Sequence, residues 1–271
     1  MPELPDLAVF QQNLRKKILN KEIIEVGVNA EKSLINVTTV ELRSTIVGQL
    51  FTDIKRRGKH LIFDLNDNSK LVLHLMLRGR LEYGNTIQDH LLSDCFWFQF
   101  EDKTELRVTD QKRWVKLEIL KGGDLNTSKL LSKLGPEADK LGVEKFEKIL
   151  KKSRLGRIKP LLMDQKKIAG IGNAYVDEIL WKSKIHPNKT ASLLSDAEIK
   201  TLNTNINKVL EWGIRKNAKE LGENLNESRR KWMKVYRKKG KPCPECRAPI
   251  EQTRVIGRDT FFCPKCQKER K

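Results

Sequence analysis

The chain has 271 residues, enough for two cored domains and a small appendage, and 38% of them are hydrophobic. No apolar run approaches the ~18 residues of a membrane span, and the 5 cysteines are too clustered for a disulfide scaffold. Lys and Arg number 54 against 35 Asp and Glu, a net charge of +19. So large an excess on a non-repetitive chain points to a polyanionic partner, nucleic acid before an anionic membrane.

The chain opens Met1-Pro2-Glu3-Leu4-Pro5-Asp6. A carboxylate next to the start does not fit a secretory signal, so a reducing, cytoplasmic setting is expected. If Met1 is removed, Pro2 carries a free secondary amine. Chain amines titrate near ~7.7–8.0, against ~10.4 for lysine. Near neutrality this nitrogen is therefore the better nucleophile, able to form a Schiff base with an aldehyde carbon. Glu3 stands one residue away, placed to give or take a proton. A disordered start followed by a helix cap is the plainer reading of the same residues.

From Asp6 to Leu19, Leu7, Phe10, Leu14 and Ile18 recur at helical spacing. Strand-like runs follow at Ile23–Val28, Gln49–Lys55, Leu61–Asp64, Leu71–Leu77, Phe96–Glu101, Glu105–Thr109 and Val115–Leu120, separated by turn signals such as Asn66-Asp67-Asn68. Residues 1–122 are expected to form a β-sandwich preceded by a helix. From Ser128 the apolar spacing turns helical, near 144–151, 159–164, 174–183 and 196–217, which predicts an all-α unit over 129–228. A third segment, 235–271, completes an α+β chain. The span from Arg229 to Lys271 holds 15 Lys and Arg against 4 Asp and Glu.

Four cysteines form two Cys-Pro-x-Cys knuckles, Cys243/Cys246 and Cys263/Cys266, with 16 residues between them. Two such pairs supply four thiolates for one tetrahedral, structural zinc on a β-hairpin ribbon; two disulfides or a redox pair is the competing reading. Arg258, in the second half of this ribbon, is the candidate to reach toward a phosphate. The Gly170-Ile171-Gly172-Asn173 turn opening a helix exposes N–H groups suited to a phosphate. Lys59 ends the basic loop Lys55-Arg56-Arg57-Gly58-Lys59 at a strand mouth. Two further tips, Leu75–Arg80 and Asp110–Trp114, set apolar or aromatic residues beside cations, as in proteins that wedge apart stacked bases.

Together these motifs resemble the formamidopyrimidine-DNA glycosylase/endonuclease VIII family over nearly the whole length, with the Leu4-Pro5 pair leaning to the formamidopyrimidine branch. The likeness is carried by the Pro-Glu-Leu-Pro start, Arg57-Gly58-Lys59, His74-Leu75, Leu134-Gly135-Pro136-Glu137, Gly170 to Asn173 with Tyr175-Val176-Asp177-Glu178, Val235-Tyr236, and the Gly257-Arg258 to Gln267 run. It implies a helix-topped β-sandwich, a helix-two-turn-helix domain and a zinc ribbon, with duplex DNA carrying a damaged base or abasic site lying between. It also implies base excision with AP lyase chemistry: Pro2 attacks C1′, Glu3 protonates the sugar, Lys59 supports the reaction centre, and β,δ-elimination cuts the strand. Asn173 and Arg258 are implied to clamp phosphates, with Gly172, His74, Lys112, Arg113 and Tyr236 also at the DNA.

The chain departs from the family in places. Asp6 stands where Glu is usual. The duplex-inserting Met, Arg and Phe fall on Leu77, Lys112 and Trp114, and Lys112 cannot make a bidentate guanidinium contact. The stretch between Trp212 and Val235 lacks the Gly-Ser-Ser opening of the family's lesion-capping loop. The expectation is a monomeric bacterial enzyme of the nucleoid, whose preferred lesion the sequence leaves open. A DNA-damage-binding protein that keeps the fold without the chemistry is the alternative, and a basic RNA-binding zinc-ribbon protein is a weaker one.

Overall fold

The structure, a computed structural model, describes residues 1–153, 156–225 and 229–269. It divides into two compact units: Met1–Lys133 with Asn217–Ser228, and Leu134–Lys216 with Arg229–Lys271. Among the described residues, no helix is long and apolar enough to cross a membrane.

The first unit begins with α1 (Leu4–Ile18), which buries Leu7, Phe10, Leu14 and Ile18 as the spacing predicts. The helix starts before Asp6 because Asp6 reaches back from its first turn: the Glu3 N–H donates to Asp6 Oδ2 at 2.7 Å. Pro5, with no N–H to lose, is at home in that turn. Two sheets follow. The larger has the order β2 (Leu34–Ile35), β9 (Lys116–Leu120), β5 (Lys70–His74), β4 (His60–Leu65), β3 (Phe51–Arg57). The smaller is β1 (Ile23–Val28), β7 (Asp94–Phe100), β8 (Thr104–Thr109), β6 (Arg80–Asn85). Phe51 on the larger sheet meets Phe98 and Phe100 on the smaller, with ring centroids 6.0 and 6.3 Å apart. The sheets therefore pack face to face as a sandwich. The expected strands are present, but β5 stops at His74 rather than Leu77, and besides the two-residue β2 two elements are additional. One is β6, whose side facing the core is little more than Leu81. The other is α2 (Thr39–Ile46), capped by Thr38 and Glu41 and burying only Leu42 and Ile46.

The second unit contains α3 (Val143–Lys151), α4 (Ile158–Met163), α5 (Asn173–Lys182), most of α6 (Asp196–Leu221) and a hairpin of β10 (Glu251–Val255) and β11 (Arg258–Phe262). Helix α6 runs one turn beyond the expected 217, and its residues from Asn217 onward count with the first unit. At Gly213 a Cβ would lie 2.3 Å from the ring of the fully buried Tyr175, so only glycine permits this close approach. The ribbon has its own small core of Val235, Cys243, Ile250, Phe261 and Cys263, closed by Trp181 of α5.

Candidate functional site

In the first unit, α1 and β3 run in opposite directions. Gln11 Nε2 and Arg15 Nε donate to the Ile54 carbonyl at 2.8 and 2.9 Å, and farther along the helix the Asn20 N–H donates to the Phe51 carbonyl at 3.0 Å. From Gln11 back to Leu4 is about 10 Å of helix, and from Ile54 on to Arg57 about 10 Å of strand. The helix start thus lies at the same end as the β3–β4 hairpin tip, Gly58-Lys59. Gly58 takes φ +55° there, which a two-residue hairpin requires and glycine adopts at least cost. Pro2, Glu3 and Lys59 are all buried at this end, Glu3 at 3% and Lys59 at 5% exposure.

Strand register brings more of the expected residues to this edge. Leu61 pairs with Leu73, so His60 lies beside His74, with rings 4.4 Å apart. His74 in turn pairs with Lys116 at the start of β9, and Arg80 at the start of β6 pairs with Thr109 at the end of β8. The connections 75–79 and 110–115 therefore pass between the sheets side by side, and they carry Leu77, Lys112, Arg113 and Trp114. Leu77 is 51% and Trp114 44% exposed, far from the burial of core residues. Asp110 shapes the second tip: its carboxylate accepts from the N–H groups of Lys112, Trp114 and Val115 at 2.9, 2.8 and 3.3 Å. A cavity of about 430 Å³, lined by Leu77, Arg78, Arg80, Asp110 and Gln111 among others, opens beside the tips.

The two histidines are neutral. Burial, the neighbouring His74 and nearby cations push His60 down to about 3. Burial and Lys59 push His74 down to about 4. The Met76 N–H donates to His74 Nδ1 at 3.0 Å, so the ring hydrogen sits on Nε2, available to an acceptor such as a phosphate oxygen.

In the second unit, Gln165 braces the turn before α5. Its amide accepts from the Gly170 N–H at 2.9 Å and donates to the Ile171 carbonyl at 2.8 Å. Gly172 is the N-cap and Asn173 the first helical residue. Asn173 Nδ2 donates to the Asp259 carbonyl at 3.0 Å, which brings it next to the exposed Arg258 at the start of β11. Beneath them lies Lys159, 1% exposed. Its ammonium donates to Asp177 Oδ1 at 2.7 Å, Thr260 Oγ1 at 2.8 Å and the Asp259 carbonyl at 3.1 Å. The second oxygen of Asp177 accepts from the Phe261 N–H at 3.0 Å. Burial pushes Asp177 up to about 7 against the downward pull of Lys159. Next along α5, Glu178 Oε1 accepts from the N–H groups of Lys234, Val235 and Tyr236 at 3.0, 2.8 and 2.9 Å. Consecutive carboxylates on one helix thus hold the hairpin and the segment entering the ribbon.

The formamidopyrimidine-DNA glycosylase N-terminal domain matches residues 1–117, its H2TH domain residues 134–224, and the zinc finger found in FPG and IleRS residues 240–268. The formamidopyrimidine-DNA glycosylase of Streptococcus pyogenes is 34% identical over 278 residues, covering 100% of both chains. That of Ligilactobacillus salivarius is 34% identical over 274 residues, covering 98% of this chain and 99% of its own. Among solved structures, the Lactococcus lactis protein in complex with a FAPY-dG containing DNA superposes with TM-score 0.90 at 30% identity, covering 98% of this chain and 100% of that one. The same protein with an abasic site containing DNA gives TM-score 0.89 at 29% identity, with 99% and 100% covered.

The chain belongs to the formamidopyrimidine-DNA glycosylase family. It is accordingly a DNA glycosylase of base excision repair with a structural zinc. The ligand set fits the metal. The four Sγ atoms of Cys243, Cys246, Cys263 and Cys266 lie within 4.8 Å of one another, and none is in a disulfide. Zn–S bonds of about 2.3 Å in a tetrahedron set sulfurs about 3.8 Å apart, and Cys243 and Cys266 are 3.9 Å apart. Trp181 Nε1–H donates to Cys243 Sγ at 3.4 Å, tying the glycosylase's α5 directly to the metal set.

Reasoning from sequence missed three supporting residues. Asp110 had a signal, since Asp followed by a short polar run is an Asx-turn pattern. Asp177 stood only as part of the Tyr175–Glu178 motif and Lys159 had no signal, because their partners on β11 are distant in sequence, Thr260 at a separation of 101 from Lys159. Part of the segment between Trp212 and Val235, residues 226–228, lies outside the described residues.

Proposed function

We propose that this glycosylase binds duplex DNA carrying a damaged base or an abasic site and, once Met1 is removed, works through the Pro2 nitrogen. In this reading Pro2 N bonds to C1′ of the extruded nucleotide as the bond from C1′ to the base breaks, and the amine proton leaves with the base. Glu3 gives its proton to the ring oxygen as the sugar opens, and the nitrogen lone pair completes the Schiff base. Loss of a C2′ proton then expels the 3′ phosphate, and a second elimination expels the 5′ phosphate. Lys59 supports the centre with its charge, and the damaged base must leave the stack to be reached. Leu77, Lys112 and Trp114 fill the gap, while His74, Arg113, Gly172, Asn173, Tyr236 and Arg258 meet the backbone. The working modules are 1–122, 129–228 and 235–271, acting as a monomer at the nucleoid.

What supports this most is the shared edge in the first unit, where the start of α1, the Lys59 hairpin, His74 and the two exposed tips all arrive. The Lactococcus lactis protein is in complex with abasic-site DNA and with FAPY-dG DNA, and such an edge suits both. The test is borohydride trapping on an abasic duplex. The wild type is expected to give a covalent adduct at Pro2, and a chain whose N-terminus is blocked by acylation to lose it with DNA affinity kept within about threefold. Undiminished trapping by the acylated chain would remove the nucleophile from this scheme. Affinity is also expected to fall steeply with added salt, as phosphate contacts demand.

A further inference from the structure

We infer that Asn217 is a positioning residue for the N-terminal catalytic end, acting through Asp6. Asp6 is fully buried, and its two carboxylate oxygens are divided between two tasks. Oδ2 accepts from the Glu3 backbone N–H at 2.7 Å and so fixes the residue that follows Pro2. Oδ1 accepts from Asn217 Nδ2 at 3.0 Å, and Asn217 is itself fully buried. A carboxylate held at one oxygen can rotate about its last bond; held at both, it cannot. The orientation of Asp6, and with it that of Glu3 and the Pro2 peptide, is thereby set from α6.

Both partners stand where this chain departs from its family. Asp6 is one methylene shorter than the usual Glu. Asn217 stands just before the final turn of α6, in the stretch that lacks the family's Gly-Ser-Ser opening. The shorter acid is met by a side chain from within the helix. The rest of this segment is fastened along α1 in the same order. Asn13 Nδ2 donates to the Gly222 and Asn224 carbonyls at 2.8 and 2.9 Å, and Lys16 and Lys17 lie 3.8 and 3.9 Å from Glu223. Leu221 and Leu225 are buried beside them. The end of α6 is a splint along the helix whose first residues carry the chemistry.

The inference rests on Pro2 as nucleophile, so the experiment carries a chain with an acylated N-terminus as a control. Single-turnover trapping at saturating full-length protein is measured on an abasic duplex, alongside affinity for a non-reactive abasic analogue and thermal unfolding. For Asn217→Ala the rate is expected to fall at least tenfold while affinity changes less than twofold. If folding is impaired, the decisive variant is Asn217→Gly combined with Asp6→Glu, the acid usual in the family: the pair is expected to recover at least threefold over Asn217→Gly alone. Wild-type trapping by a folded Asn217→Ala, or rate losses that simply multiply in the double variant, would overturn the positioning role while leaving Pro2 in place. Trapping retained by the acylated chain would overturn both.

Discussion

Lys159 Nζ and Asp177 Oδ1 lie 2.7 Å apart at 1% and 0% side-chain exposure, and both groups then reach β11. A charge so buried is tolerated only with its partner present, and removing one member of such a pair typically costs about 3–5 kcal/mol. Asp177→Ala is therefore expected to destabilise the second unit by about that much in chemical denaturation. Lys159→Met with Asp177→Leu is expected to be milder than either single change, because no orphan charge remains. Since the pair holds Asp259 and Phe261, on either side of Thr260, the single variants are also expected to weaken DNA affinity by loosening Asn173 and Arg258. A double variant as damaging as the sum of its parts would show that packing, not charge pairing, holds the hairpin.

Zinc removal has a built-in reporter. The Trp181 indole N–H donates to Cys243 Sγ, and Trp181 closes the ribbon core. Chelation is expected to change tryptophan emission in step with loss of duplex binding, with one zinc released per chain by elemental analysis. Cys263→Ser is expected to do the same without chelator. The sandwich draws none of its core from these cysteines, so the melting of the first unit should move little. Chelator-insensitive DNA binding would detach the ribbon from recognition.

The sequence disclosed most where local pattern decides structure. The Ile23–Val28 run is β1 to the residue, and Leu7, Phe10, Leu14 and Ile18 are the buried stripe of α1. The zinc ligands were legible because two short spacings suffice to name them. Local pattern failed where few residues touch the core: α2 buries Leu42 and Ile46 but leaves Val40 at 76% exposure. In β6 the charged Arg80 and Glu82 hid a single strand face. Strand β5 was read too long because Leu75 is buried beyond its end, in the crossing that leads to the tip. Contacts such as Asp6 with Asn217 depend on a sequence separation of 211, which no window along the chain can display.

The exposed tips separate binding from stability. Trp114 is 44% exposed, and its backbone is held by Asp110 whatever side chain it bears. Surface changes of this kind usually stay within about 0.5 kcal/mol. Trp114→Ala is thus expected to leave the melting temperature nearly unchanged while lowering affinity for an abasic duplex several-fold. Asp110→Ala removes the acceptor for three N–H groups and is expected to lower both stability and affinity. Lys112→Arg restores a guanidinium fork and is expected to sharpen discrimination among opposite bases in a cutting panel. Equal affinity of Trp114→Ala and wild type would take the wedge out of recognition.

Acid is expected to unfold the first unit through His60 and His74. Their pKa values are pushed down to about 3 and about 4 in the folded protein, whereas an unfolded histidine titrates near 6.5. Between those limits the unfolded chain binds protons that the folded chain does not, so stability falls as pH drops below about 6.5. Each group contributes at most about 1.4 kcal/mol per pH unit through that window. Asp177 acts in the opposite sense: raised to about 7, it keeps a proton the unfolded chain has released, which favours the folded second unit as pH falls from about 7 toward 4. Comparing variants isolates the histidines. His60→Gln removes one titrating group and the ring packed against His74, and it is expected to be less stable than wild type at pH 7 but to lose less stability on going to pH 5. Denaturation midpoints at the two pH values give the answer directly: parallel losses in wild type and His60→Gln would mean that the acid sensitivity of the sandwich arises elsewhere.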